Sequence, residues 1–217
     1  LTKYDWLERI EDSGVDFLLA RPTGLIQRFK DLYDERIYIL EKTLNYFVFP
    51  SYNEIVLHEN KKFLSYFLKA TNIPMPETYV FYYKDEAINF ANNISSYPVV
   101  GKTSNGASGT GVKIIKSHNN LKKYINKAFS KTGIKRRFGP NRNTGNIYTW
   151  SNKVKLDPGN ALKKIKNYLQ LYKDSQRGFV ILQEYIPHDF EWRVVKIGVS
   201  WFAHKKVKVG EMASGTK

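Results

Sequence analysis

The residues best suited to chemistry lie between Pro98 and Val112, in the order Pro98-Val99-Val100-Gly101-Lys102-Thr103-Ser104-Asn105-Gly106-Ala107-Ser108-Gly109-Thr110-Gly111-Val112. The apolar opening predicts a strand that ends on the Lys102 ammonium. Glycines and small hydroxyl residues follow, and they let backbone N–H groups approach phosphate oxygens closely while the lysine supplies a cation. A second strand, Val112 to Ile115, comes next. A nucleotide loop of the Gly-Lys-Ser/Thr type would open a helix at that point, so this loop is of another kind. By itself the segment also fits a glycine hairpin carrying a solvated lysine.

A second segment runs Phe179-Val180-Ile181-Leu182-Gln183-Glu184-Tyr185-Ile186-Pro187-His188-Asp189-Phe190-Glu191-Trp192-Arg193. A buried strand ends in a polar pair, bends at proline and restarts. Glu191 and Arg193 are two apart, so on a strand they project from one face. A carboxylate and a guanidinium together suit a ribose and a phosphate, although an ordinary cross-strand ion pair uses the same two groups.

The elements that must position these residues fall into four stretches. Residues 1–56 hold a helix that Asp34 caps, with Ile37, Leu40 and Leu44 at helical spacing, and then the short apolar run Phe47-Val48-Phe49-Pro50. Residues 57–128 contain a helix built on Phe63, Leu64, Phe67 and Leu68 and stopped by Asn72 and Pro74. A strand over Thr78–Tyr82 follows, then a helix that Asp85 caps, the two strands around the glycine loop, and a helix through Leu121, Tyr124, Ile125 and Ala128. Residues 129–178 comprise a polar, basic insertion or flap to about residue 158 and a helix through Leu162, Ile165, Leu169 and Tyr172. Residues 179–217 are strand-rich, with Gly198-Val199-Ser200 as a turn.

Composition sets the outer bounds. Hydrophobic residues make up 42% in short broken runs, a globular pattern. No run approaches the roughly 20 apolar residues that a membrane span needs. The absence of cysteine excludes disulfides and thiolate metal sites and fits a cytoplasmic location. Net charge is +15, concentrated between Lys122 and Lys173, where only Asp157 opposes the lysines and arginines. Such a field draws anions of any kind. The first residue is Leu rather than Met, from which we expect the natural start to lie upstream.

The loop preceded by Lys102, the strand ending Gln183-Glu184-Tyr185-Ile186 and an acidic residue two before Arg193 form an ordered set. A third passage joins them, Asn60-Lys61-Lys62-Phe63-Leu64 running on to Asn72-Ile73-Pro74-Met75-Pro76-Glu77-Thr78. Over residues 57–217 this set resembles the ATP-grasp superfamily, nearest its glutathione-synthetase and RimK-type branch, and is similar also to D-alanine–D-alanine ligase. The resemblance implies an α+β ATP-grasp fold: two α/β lobes whose antiparallel sheets enclose the nucleotide, preceded by a partial N-terminal pre-ATP-grasp region.

Residue by residue, the resemblance implies that Lys61 and Lys102 contact the α- and β-phosphates of ATP, with Lys62 the competitor for the role of Lys61. Ser104, Gly106, Ser108 and Gly109 form the closing loop. Gln183, Glu184, Tyr185 and Ile186 line the adenine pocket, and backbone groups of Glu184 and Ile186 read the base edge. Glu191 binds the ribose hydroxyls. Arg193 and Lys205 face the γ-phosphate or the acyl substrate, although Lys205, Lys206 and Lys208 alternate as a solvated strand would. Ligands for Mg²⁺ or Mn²⁺ are expected beyond Lys217, in a C-terminal segment this chain lacks, so no metal residue is assigned. His188 and His204 read as surface or hinge residues.

The reaction implied is ATP-dependent ligation of a carboxylate to an amine through an acylphosphate. The insertion is then a candidate guide for an anionic substrate, or a solvated loop. Two rival functions stand beside it: a nucleotide-binding domain of the same fold without turnover, and a basic nucleic-acid-binding module using Lys122 to Lys173 with Tyr124, Phe129, Phe138, Tyr148 and Trp150. The sequence carries no recognised nucleic-acid motif in support of the last. The acid, the amine and the oligomeric state are not readable.

Overall fold

A computed structural model describes residues 1–21, 26–106, 109–136, 157–209 and 212–213. They belong to two compact units, Leu1–Met75 with Ser104–Ala107, and Pro76–Thr103 with Ser108–Lys217. Among the described residues no helix is long and apolar enough to cross a membrane.

In the first unit the order is α1 (Trp6–Asp12), β1 (Phe17–Leu19), α2 (Gln27–Tyr38), a π turn (Ile39–Thr43), β2 (Phe47–Phe49), α3 (Tyr52–Leu57) and α4 (Lys61–Ala70). Strands β1 and β2 pair in parallel. Alternation sends Val48 inward, where it joins Ile37, Leu40 and Ile55 in a small core. Asp34 does not cap a helix here. Lys30, 1% exposed, bonds both Asp34 oxygens at 2.5 Å and the Ile55 carbonyl at 2.9 Å. This i,i+4 pair lies inside α2, which begins at Gln27. Helix α3 starts on a capping box in which Ser51 and Glu54 satisfy each other's backbone N–H groups.

The second unit runs β3 (Thr78–Phe81), α5 (Lys84–Asn93), β4 (Val99–Lys102), β5 (Val112–Ile115), α6 (His118–Ala128), α7 (Pro158–Lys173), β6 (Val180–Glu184), β7 (Phe190–Ile197), β8 (Ser200–Val209) and β9 (Met212–Ala213). Four strands form an antiparallel sheet in the order β3-β6-β4-β5, and β7-β8-β9 form a second. Asp85 lies within the first turn of α5 rather than at its cap, which is Tyr83. There, beside Glu86, it opposes the positive end of the helix dipole.

One face of the four-stranded sheet carries Val99, Ile115, Val180 and Leu182, packed against Ala87 and Ala91 of α5 and Leu121, Tyr124, Ile125 and Ala128 of α6. The pairing register then places Val100, Lys102, Ile181 and Gln183 together on the opposite face. Gly101 is required on the helix-covered face, because a Cβ there would fall 2.5 Å from Cζ of Tyr124. Part of the 129–178 stretch is tied down: Ile134 bridges Gln176, Arg136 pairs with Asp174, and Lys135 lies 4.4 Å over the Tyr172 ring. Most of the basic insertion, residues 137–156, lies outside the described residues.

Candidate functional site

Helix α4 and the glycine loop meet within the first unit. Asn60 caps α4 by accepting from the Phe63 N–H, and it accepts as well from the Ser104 hydroxyl at 3.1 Å. The backbone N–H of Lys61 donates to the Ser104 carbonyl at 3.0 Å. The Lys61 ammonium reaches the Gly106 carbonyl at 2.7 Å and the Ser104 carbonyl at 3.4 Å. Lys61 thus anchors the loop. Thr103, Ser104, Asn105 and Gly106 are buried, which a freely solvated glycine hairpin would not be. Gly106 and Gly109 have φ of +128° and +69°, conformations that glycine adopts without steric cost. The loop closes through Thr103 N–H to Gly111 O and Val112 N–H to Gly109 O. Ser108 lies outside the described residues.

Glu59 is the residue that sequence reasoning missed. Its carboxylate accepts the Gly106 N–H at 3.0 Å and lies 3.4 Å from the Lys61 ammonium. Nothing in the local pattern signals it, because the contact spans 47 positions and depends on a left-handed backbone at Glu59, φ +51°. Asn60, by contrast, carried a legible signal as a capping residue just before an apolar helix.

Within the second unit, Lys102 and Gln183 share the sheet face away from the helices. Gln183 is fixed by donating to the Thr78 hydroxyl at 2.7 Å. At the two residues whose backbone groups are expected to read the base edge, the Glu184 N–H donates to the Glu77 carbonyl, and the Ile186 carbonyl lies 2.7 Å from Nδ1 of His188. His188 therefore braces the bend. Gln183, Glu184, Tyr185 and Ile186 all line one cavity of about 610 Å³. Tyr79, Phe90 and Val99, from the helix-covered side, complete its wall. Tyr97, also in its wall, keeps a buried hydroxyl with no hydrogen-bond partner among the described residues, and burial raises its pKa above the ordinary tyrosine value.

The β7-β8 register sorts the remaining candidates. Glu191 pairs with Lys206 and Arg193 with His204, whereas Lys205 pairs with Trp192. Glu191 and Arg193 share a face, as their spacing requires, and the Glu191 carboxylate lies 3.6 Å from Lys206 and 3.5 Å from His188. Lys205 lies on the opposite face, 4.5 Å over the Phe190 ring and 5.5 Å over the Trp192 ring. Arg193 and Lys205 are not brought together. Among the described residues no group of three or more His, Asp or Glu side chains is placed to hold a metal ion.

Residues 60–141 match the family model described as carbamoyl-phosphate synthase L chain, ATP binding domain. The match takes in Lys61, Lys102 and the whole glycine loop. That stretch is similar to an ATP-binding domain of the ATP-grasp kind. Solved structures similar to this chain include the RimK domain protein ATP-grasp from Sphaerobacter thermophilus DSM 20745, at 17% identity and TM-score 0.46, covering 84% of this chain and 54% of that one. Others are D-Alanine-D-Alanine Ligase from Helicobacter pylori, at 16% identity and TM-score 0.41, covering 85% and 46%, and D-alanine--D-Alanine Ligase from Bacillus anthracis, at 13% identity and TM-score 0.45, covering 96% and 59%. The chain spans about half the length of these structures. No curated protein matches it. The described residues combine helices with two antiparallel sheets and one parallel strand pair, an α+β architecture.

Proposed function

We propose that the protein is an ATP-dependent ligase that joins a carboxylate to an amine. The observation that carries the reading is the anchoring of the glycine loop by the Lys61 ammonium, within the stretch that matches an ATP-binding family. In this reading Lys61 and Lys102 neutralise the α- and β-phosphates, and the loop N–H groups from Ser104 to Gly109 bind the phosphate oxygens. The Gln183–Ile186 hinge takes the adenine, Glu191 the ribose hydroxyls, and Arg193, on the same face as Glu191, the γ-phosphate or the acyl substrate. Lys205, on the other face, is left out of that group.

The chemistry asks for placement and charge neutralisation more than for covalent participation by the protein. A carboxylate oxygen of the substrate attacks the γ-phosphorus, the bond to the β-phosphate oxygen breaks, and ADP leaves. The amine nitrogen then attacks the acyl carbon of the acylphosphate, phosphate departs with the C–O bond electrons, and the amine loses a proton as the amide forms. Ammonium and N–H groups aimed at the phosphates stabilise charge most strongly where water is excluded. ATP-grasp chemistry also uses a divalent ion, but the described side chains do not form a set that fits one.

The test is acceptor-dependent turnover. The protein is incubated with ATP, Mg²⁺ and a panel of carboxylic acids in hydroxylamine, which traps acylphosphates as hydroxamates. ADP release and a hydroxamate that both depend on one acid are expected. ATP binding with no ADP release across the panel would instead favour a nucleotide-binding domain without turnover.

A further inference from the structure

We propose that the Glu59 carboxylate is an internal competitor for the triphosphate, holding the two donors that anion binding at this loop requires. The inference rests on the nucleotide reading of the same site. Glu59 accepts the Gly106 N–H at 3.0 Å and lies 3.4 Å from the Lys61 ammonium. It does so from a left-handed backbone, φ +51°, that glutamate seldom adopts. Its side chain is 18% exposed and that of Lys61 27%, so water screens the contact only in part.

A backbone N–H carries one proton and makes one strong bond. A phosphate oxygen that takes the Gly106 N–H must therefore displace the Glu59 oxygen already there. A polyanion arriving beside an undisplaced carboxylate meets like charge at hydrogen-bond range as well. Glu59 thus imitates a phosphate oxygen on the two groups that the glycine loop and α4 present. Binding proceeds from the fraction of molecules in which the glutamate has swung aside, and the apparent affinity is lowered by that fraction. The side chain has enough single bonds to swing without moving α4, because the helix keeps its Asn60 cap.

A merely supporting glutamate, one that holds Lys61 in place for ATP, predicts the opposite sign on substitution. The experiment is calorimetric binding of ATP, inorganic tripolyphosphate and adenosine to the full chain, its Glu59→Gln variant and its Glu59→Ala variant, each checked for an unchanged melting profile. Tripolyphosphate and ATP are expected to bind Glu59→Ala about tenfold more tightly than the wild type, the size of one charge-assisted hydrogen bond removed from the competing state, and Glu59→Gln more tightly by a smaller factor, because its amide oxygen still accepts the Gly106 N–H but carries no charge, while adenosine is unaffected. Equal or weaker binding of tripolyphosphate by the variants, with the wild type binding normally, overturns the competitor role alone. Tightening that extends to adenosine overturns it too. No binding of ATP or tripolyphosphate by any of the three overturns the nucleotide reading itself and the competitor role with it. Gln is nearly isosteric with Glu, so that variant decides the matter if Glu59→Ala loses its fold.

Discussion

At the residue scale, Tyr124 shows what burial does to a phenol. Its ring fills the space left by Gly101, and its hydroxyl is buried without a hydrogen-bond partner among the described residues. Burial pushes its pKa well above the ordinary tyrosine value. In the unfolded chain the same phenol titrates near pH 10. The stability tied to this group is therefore fully present below about pH 10 and is lost as pH rises toward the folded pKa, because only the unfolded state releases the proton. Tyr124→Phe is expected to keep or slightly raise the melting temperature at neutral pH, and to show a shallower fall than the wild type above about pH 10. Parallel curves for the two chains would contradict this account. Residues were legible in the sequence where type and order carried the signal: Lys61 opens α4 and Lys102 ends β4, as their surroundings suggested. Glu59 and the Gly101–Tyr124 contact were not, because each joins residues distant in sequence whose types have no local pattern.

At the element scale, every regular segment around the glycine loop was readable. The run from Val99 to Lys102, the strand from Val112 to Ile115, and the apolar spacings of α4 and α6 all appear as strands and helices. Helix starts were less legible. The α2 start was misread: Asp34 lies inside the helix, paired with the buried Lys30 one turn before it. Strand order was not readable at all, since the pairing of β6 between β3 and β4 depends on contacts about a hundred residues apart. The Lys30–Asp34 pair also links α2 to the end of α3 through the Ile55 carbonyl. Lys30→Met leaves a mostly buried carboxylate without its cation, and removing one partner of a buried pair costs about 3 kcal/mol. Denaturant unfolding is expected to show a loss of that order, with Lys30→Met/Asp34→Asn recovering more than half. A loss under about 0.5 kcal/mol for Lys30→Met would show that the pair contributes nothing net.

At the scale of the whole molecule, the chain divides into two units, and the glycine loop takes part in both, since Ser104–Ala107 belongs with the first unit although Thr103 belongs with the second. A reading from sequence order alone assigns the loop to one stretch, because nothing local marks where a contact unit ends. The net charge of +15 was legible at once, but it describes which ligands are attracted rather than where they bind. In the proposed function Lys61 and Lys102 act on the same triphosphate. The most direct measurement is the ATP affinity of Lys61→Ala, Lys102→Ala and the double variant, with adenosine as the control. Each single substitution is expected to weaken ATP by about tenfold or more, adenosine binding is expected to stay unchanged, and the two effects are expected to be non-additive, as for groups that share one partner. ATP affinity left at the wild-type value by both single variants would contradict the account.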